Sequence, residues 1–256
     1  MISTSKELKR RARAALEGKY FFASSLAAVL SIFSSVMMYL LSGILTASRG
    51  TLPKASFWIL WFIMILFSFL LEVGFIKFIY SLSCQDATQN PGTLLYGFKN
   101  QPDTFILTAA FRYLITLIWF IPAILKYLTI PYNLELTQIP GAVLPVLLLL
   151  LAGALPAVFL ALPYCLSTYI LLDEPYCSAR DALQRSRILL QGQKRRLLFL
   201  WLGFLPLCLV GIGSYGIGFL WIRPYYHMTM SQFYLELTGR ESALRQTDQQ
   251  IESQLF

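Results

Sequence analysis

Six apolar stretches, at 20–45, 57–82, 104–128, 143–172, 197–213 and 217–238, alternate along the chain with polar segments rich in Lys and Arg. A helix needs about 20 mainly apolar residues to cross the hydrocarbon core of a bilayer. The pattern therefore predicts an all-α, polytopic membrane bundle of six transmembrane helices in three hairpins. The run from Leu197 to Leu237 also reads as a single long span with an exposed tail, which would place the C-terminus outside. Gly211, Gly213, Ser214, Gly216 and Gly218 near its middle suit a tight turn and favour two helices.

Two polar segments carry helical periodicity of their own. From Pro175 to Gln191, Ala179, Ala182, Leu183, Ser186, Leu189 and Leu190 share one face, while Arg180, Asp181, Gln184, Arg185, Arg187 and Gln191 share the other. Pro175 is placed for a first helical position. From Ser5 to Glu17, Leu8, Ala12, Ala15 and Leu16 oppose Lys6, Lys9, Arg10 and Arg13. Both helices are expected along the inner membrane surface or against the bundle. The chain thus divides, within one membrane domain covering 1–256, into an amphipathic helix (1–19), four spans (20–172), a second amphipathic helix (173–196), two spans (197–238) and a polar tail (239–256).

The distribution of charge turns this pattern into an orientation. Fifteen Lys and Arg residues, at 6–19, Lys99, 180–196, Arg240 and Arg245, fall on one side, against Arg49, Lys54 and Lys126 on the other. By the positive-inside rule both termini lie in the cytoplasm. The net charge of +8 accompanies 57% hydrophobic residues and clusters beside apolar spans, so the phosphates it meets are expected to be lipid head groups rather than nucleic acid. The lipid-facing basic residues on this reading are Arg10, Arg11, Arg13, Arg185, Arg187, Lys194, Arg195 and Arg196. The first apolar stretch is too long for a cleavable signal and reads as an uncleaved anchor. Cys84, Cys165, Cys177 and Cys208 lack metal-site or disulfide spacing and read as packing residues.

A weak internal repeat accompanies the hairpins. Arg11 to Gly18, Leu94 to Gly97 and Arg185 to Gly192 each precede an outward span, and each closes on a Gly suited to a left-handed helix end. The returning spans share Pro163-Tyr164 and Pro224-Tyr225, where Pro163 and Pro224 are expected to kink their helices. Chance similarity within a membrane alphabet and a diverged triplication both account for this pattern.

Several fixed spacings carry a resemblance. Pro163-Tyr164 is followed by Asp173, Pro175, Ser178, Ala182-Leu183, Ser186-Arg187, Gly192 and Lys194, then by Gly216, Gly218, Trp221, Pro224-Tyr225 and Phe233-Tyr234; Leu8, Ala12, Leu16 and Gly18 add an opening helix. With these residues the chain resembles an uncharacterised bacterial integral-membrane family, domain of unknown function 975. The resemblance implies a six-helix protein of the bacterial cytoplasmic membrane and brings no reaction, substrate or catalytic residue. It is poorest between Thr88 and Pro140.

Ionisable groups inside spans are costly and so are functional candidates. Glu72 and Arg112 stand at similar depth in the second and third spans and are expected to pair. The lone His227 can join them, and Tyr164 and Tyr225 beside the two prolines complete a candidate polar cluster of Glu72, Arg112, Tyr164, Tyr225 and His227. Arg223 sits toward the outer half of its span, where its stem can snorkel or bind Tyr and backbone oxygens. No phosphate loop, zinc helix or nucleophile elbow is present. No catalytic residue, metal site or cofactor is therefore expected, and the protein reads as non-enzymatic. Two functions remain: a membrane protein that binds lipids or other membrane proteins, and a small transporter or export accessory with a polar pocket between kinked helices four and six.

Overall fold

The computed structural model describes residues 4–47, 54–84, 91–131 and 139–240. Arg49, Arg245 and the tail beyond Arg240 lie outside the described residues. Those described form twelve α-helices and two 3-10 turns, with no strand among them. Four stretches, Tyr20–Gly43, Trp58–Ser83, Pro140–Asp173 and Lys194–Gly213, are long and apolar enough to cross a membrane. A fifth qualifies if the bent pair Pro102–Ile118 and Ile121–Leu128 is one crossing. These lengths and compositions suggest a membrane protein, with four to five candidate spans in place of the expected six.

The first amphipathic segment forms α1 (Ser5–Leu16), whose start is capped by Thr4 and whose Leu8, Ala12 and Leu16 are buried. After a turn in which Gly18 takes φ 78°, the chain enters α2 (Tyr20–Ala47) and returns in α3 (Lys54–Ser83). Phe22 against Phe78 and Phe33 against Phe67 set the antiparallel register of this pair. A 3-10 turn at Pro91–Leu95 and the short α4 (Tyr96–Lys99) then cross α3 at close range. At Gly97 a Cβ would stand 2.5 Å from the Leu70 carbonyl, and at Gly74 one would overlap the Leu94 carbonyl. The expectation of a left-handed helix end at Gly97 is therefore corrected. Gly97 sits inside α4, where it permits backbone contact, whereas Gly18 and Gly192 do adopt the left-handed conformation.

The third apolar stretch breaks into α5 (Pro102–Ile118) and α6 (Ile121–Leu128), bent by 62°. Pro122, in the first turn of α6, lacks the N–H that would continue α5. The break rests on Gly153 of α7 (Ile139–Ala161), where a Cβ would collide with the Trp119 carbonyl. Beyond α7 a 3-10 turn at Leu162–Tyr164 contains Pro163, and α8 (Ser167–Asp173) follows. The second amphipathic helix, α9, spans Ala179–Leu189 and is capped by Ser178, whose hydroxyl accepts from the Asp181 N–H at 3.2 Å. Pro175 precedes it in a turn, so its expected place at the first helical position is corrected. Buried Ser186 of α9 donates to the Pro163 carbonyl at 2.7 Å, supplying a hydrogen bond at the point where the helix is interrupted.

The last limb comprises α10 (Lys194–Leu202), α11 (Leu205–Gly213) and α12 (Phe219–Leu237). Helix α12 does not meet the length and composition of a crossing, and its surroundings explain its polarity. It packs against α1, α2 and α3, with Pro224, Tyr225, Met228, Thr229, Met230, Ser231, Phe233, Tyr234 and Leu235 buried. A helix enclosed by protein needs no apolar exterior. The assigned helix runs without interruption through Pro224, unlike the broken segment at Pro163.

Specific contacts tie α12 to its neighbours. Arg223 meets Ser31 and Glu72, and α2 continues about 16 residues past Ser31, roughly 24 Å at the helical rise. The turn before α12 lies only about five residues from Arg223, roughly 8 Å away. Near that turn the Tyr20 hydroxyl, at the start of α2, donates to the Trp221 carbonyl at 2.8 Å. At the other end of α12, Glu236 pairs with Arg196. The start of α12 is thus held against α2 and α3 and its end against α10.

Two outcomes check this architecture. Gly74→Ala should destabilise the detergent-purified protein by at least about 1–3 kcal/mol through overpacking, while Gly43→Ala, facing open space, should leave the thermal midpoint nearly unchanged. A cysteine placed at the fully exposed Tyr215, in the turn after the crossing-length stretch Lys194–Gly213, should react with a membrane-impermeant maleimide added outside intact cells, and failure to react would show that this stretch does not cross.

Candidate functional site

Three elements bring ionisable side chains together inside the bundle. Glu72 of α3 accepts from the Arg223 Nε at 3.1 Å and forms an ion pair with the same guanidinium. His227 lies one helical turn further along α12, its Nε2 at 3.4 Å from the same carboxylate. Residues four apart share a helix face, so α12 presents Arg223 and His227 jointly to Glu72. The other ring nitrogen of His227, Nδ1, is 3.2 Å from the Tyr169 hydroxyl of α8. The Arg223 guanidinium also donates to the Ser31 hydroxyl at 3.4 Å and lies over the Phe75 ring.

Arg112 takes a different partner from the one expected. It donates to the Thr168 hydroxyl of α8 at 3.4 Å, and among the described residues it forms no ion pair. The expected pairing of Glu72 with Arg112 is corrected to Glu72 with Arg223. The expectation that Arg223 snorkels outward is corrected too, since its guanidinium turns to Glu72 of α3 and Ser31 of α2. The i, i+4 spacing of Arg223 and His227 was a sequence signal for this cluster.

Glu72, Arg112, Arg223 and His227 line a cleft of 510 Å³ whose apolar wall includes Met37, Met38, Trp61, Met64 and Ile65. A second cavity of 280 Å³ adjoins it through Arg112, Tyr113, Thr168, Ile76 and His227, and reaches Cys165, Trp201 and Tyr226. The other two members of the expected cluster lie elsewhere. Tyr164 packs edge-on against Phe111 and borders a groove beside α9. Tyr225 is buried against Phe204 with the Arg13 guanidinium 5.4 Å from its ring centre, and its hydroxyl has no hydrogen-bond partner among the described residues.

A second network, unforeseen from sequence, ties the basic end together. The Asp173 carboxylate at the end of α8 accepts from the Tyr80 hydroxyl and the Tyr234 hydroxyl, each at 3.1 Å, and pairs with Arg240. The Lys77 ammonium donates to the Leu172 carbonyl at 3.1 Å and stands over the rings of Tyr80 and Tyr96. One carboxylate thereby joins α3, α8 and α12.

The basic residues expected to face lipid divide into two groups. Arg11 pairs with Glu7, Arg13 stacks on Tyr225, Arg185 pairs with Glu174, and Arg196 donates two 2.8 Å bonds to Glu236. The hydrogen bond to Glu174 holds the Arg185 guanidinium above its ordinary range. Arg10, Arg187 and Arg195 stay exposed and Lys194 half-buried. Arg180 and Arg187 border a 580 Å³ groove with Leu107, Phe111 and Tyr164, and Lys194 and Arg195 border one of 450 Å³ with Phe159, Leu162 and Leu198. Lys9, whose ammonium lies 4.4 Å over the Phe204 ring, is held below its usual range first by burial and then by Arg13. The four cysteines are free, and no metal-binding group of His, Cys, Asp or Glu occurs among the described residues.

Against known proteins, residues 1–241 match a family described as a protein of unknown function, DUF975. No curated protein and no solved structure matches the chain. The positions that carry this resemblance have clear structural work: Asp173 binds two tyrosines and Arg240, Ser178 caps α9, Ser186 bonds the Pro163 carbonyl, and Leu8, Ala12 and Leu16 are buried in the core shared with α12.

The pairing has a direct test. Glu72→Gln strands a part-buried guanidinium and should cost roughly 3 kcal/mol of stability. Adding Arg223→Leu should recover much of that loss in a thermal-melt double-mutant cycle, whereas adding Arg112→Leu should not.

Proposed function

The chain belongs to the DUF975 family of unknown function, and we propose that it is a non-enzymatic integral membrane protein of the cytoplasmic membrane that binds anionic lipid head groups. Both termini face the cytosol on this reading, and the basic end of the bundle meets the inner leaflet. The observation that carries it is the groove beside α9. There Arg180 and Arg187, with no carboxylate partner among the described residues, stand next to exposed Leu107 and Phe111 of α5. A cationic rim above an apolar wall matches a phosphate head above an acyl chain. The Lys194 and Arg195 groove repeats the arrangement beside Phe159 and Leu198.

Internal pairing sharpens the assignment. Arg11, Arg185 and Arg196 already have carboxylates, so the attraction for lipid concentrates on residues that lack one. Each basic residue near an anionic surface contributes about 1 kcal/mol.

Lipid selectivity provides the check. With spin-labelled lipids in reconstituted membranes, the wild-type protein should immobilise phosphatidylglycerol in preference to phosphatidylcholine. Joint replacement of Arg180, Arg187, Lys194 and Arg195 by Gln should bring the two lipids to near parity. An unchanged preference in the fourfold variant would remove this function.

A further inference from the structure

The cleft between α2, α3 and α5 contains an electrostatic imbalance. Its walls hold two guanidinium groups, Arg112 and Arg223, and one carboxylate, Glu72. Arg223 and His227 both engage that carboxylate. Among the described residues Arg112 has a single neutral partner, the Thr168 hydroxyl, for a group with five N–H donors. A fixed cation among apolar helices draws an anion or leaves its charge uncompensated, and the second is costly.

The surrounding shape selects the kind of anion. Arg112 lies where the 510 Å³ cleft adjoins the 280 Å³ cavity, and the larger space falls within the usual range of about 300–1,000 Å³ for small-molecule sites. Its wall above Glu72 is made of Met37, Met64 and Trp61, side chains that accommodate an unbranched hydrocarbon. At the rim Met38 and Tyr113 are exposed on flanks of α2 and α5 that carry other exposed apolar residues, so the cleft opens sideways onto the apolar surface of the bundle.

We propose that Arg112 anchors the anionic head of an amphiphile that enters sideways from the apolar phase, its chain lying between α2 and α3 along Met37 and Met64. Thr168 orients the guanidinium, and the Glu72–Arg223–His227 set closes the floor. Carboxylate and phosphate heads share the required chemistry, both accepting paired hydrogen bonds from a guanidinium. This site is separate from the α9 groove, so each stands or falls without the other.

Native mass spectrometry of the full chain in detergent tests it, with oleate, 1-oleoyl-lysophosphatidylglycerol and neutral monoolein as probes. At least one anionic probe should bind about tenfold more tightly than monoolein, and Arg112→Gln should remove that advantage. The anionic probe retained identifies the head group. Arg112→Lys should keep the preference for anions, and Met64→Trp, which fills the chain path without touching Arg112, should weaken anionic binding, each variant being compared in a protein that already carries Arg180→Gln, Arg187→Gln, Lys194→Gln and Arg195→Gln so that the surface grooves do not contribute. Equal binding of neutral and anionic probes overturns the proposal. So does anionic binding unaffected by both Arg112→Gln and Met64→Trp. Should Arg112→Gln fail to fold, Arg112→Lys and Met64→Trp decide the matter by the same outcomes.

Discussion

The arrangement of this bundle depends on the ion pair between Glu72 and Arg223. In an apolar setting a lone carboxylate or guanidinium loses its solvation at prohibitive cost, so the two groups are driven to meet where the chain permits. Their meeting fastens α12 to the middle of α3, and Ser31 extends the attachment to α2. His227, one turn along α12, then faces the same carboxylate without further adjustment of the helix. The polarity of α12 is consistent with this role: it packs among other helices and carries hydroxyls, two thioethers and an imidazole toward them. The same side chains would be expensive on a helix surrounded by lipid.

The basic end obeys a parallel rule. Asp173, two tyrosines and Arg240 form one junction, and Arg196 with Glu236 forms another, so α8, α10 and α12 converge through groups that satisfy each other. Helix α1 covers the assembly with Leu8, Ala12 and Leu16, while Lys9 and Arg13 extend over aromatic rings. Ser186 performs a similar service for the interrupted fourth stretch by donating to the Pro163 carbonyl. Among the described residues, Arg112 inside and Arg180, Arg187, Lys194 and Arg195 at the rim are left outside these ion pairs.

Close backbone contact is the other organising device. Gly74 and Gly97 let α3 meet the turn after it, and Gly153 lets α7 meet the break between α5 and α6. In a medium as apolar as the side chains themselves, helices gain little from hiding carbon from water, and tight packing through small residues supplies cohesion instead. The long exposed apolar flanks of α2, α3 and α7 fit that description.

From sequence alone the all-helical class, the apolar stretches that suggest a membrane protein, the extents of α1 and most of α9, and the left-handed glycines at 18 and 192 were legible, because each is written in local periodicity or in one residue's conformational range. Membership in the family was legible from Asp173, Ser178, Ser186 and their fixed spacing. The partner of Glu72 was not, since equal counting depth along two helices says nothing about the direction from which a third approaches. Nor was the enclosure of α12 by α1, α2 and α3: hydropathy records what a helix is made of, and only packing determines whether protein or lipid surrounds it. Tyr164 and Tyr225, similar in their Pro-Tyr setting, ended in different environments for the same reason, as contacts between remote segments, absent from any local pattern, decided where each side chain came to rest.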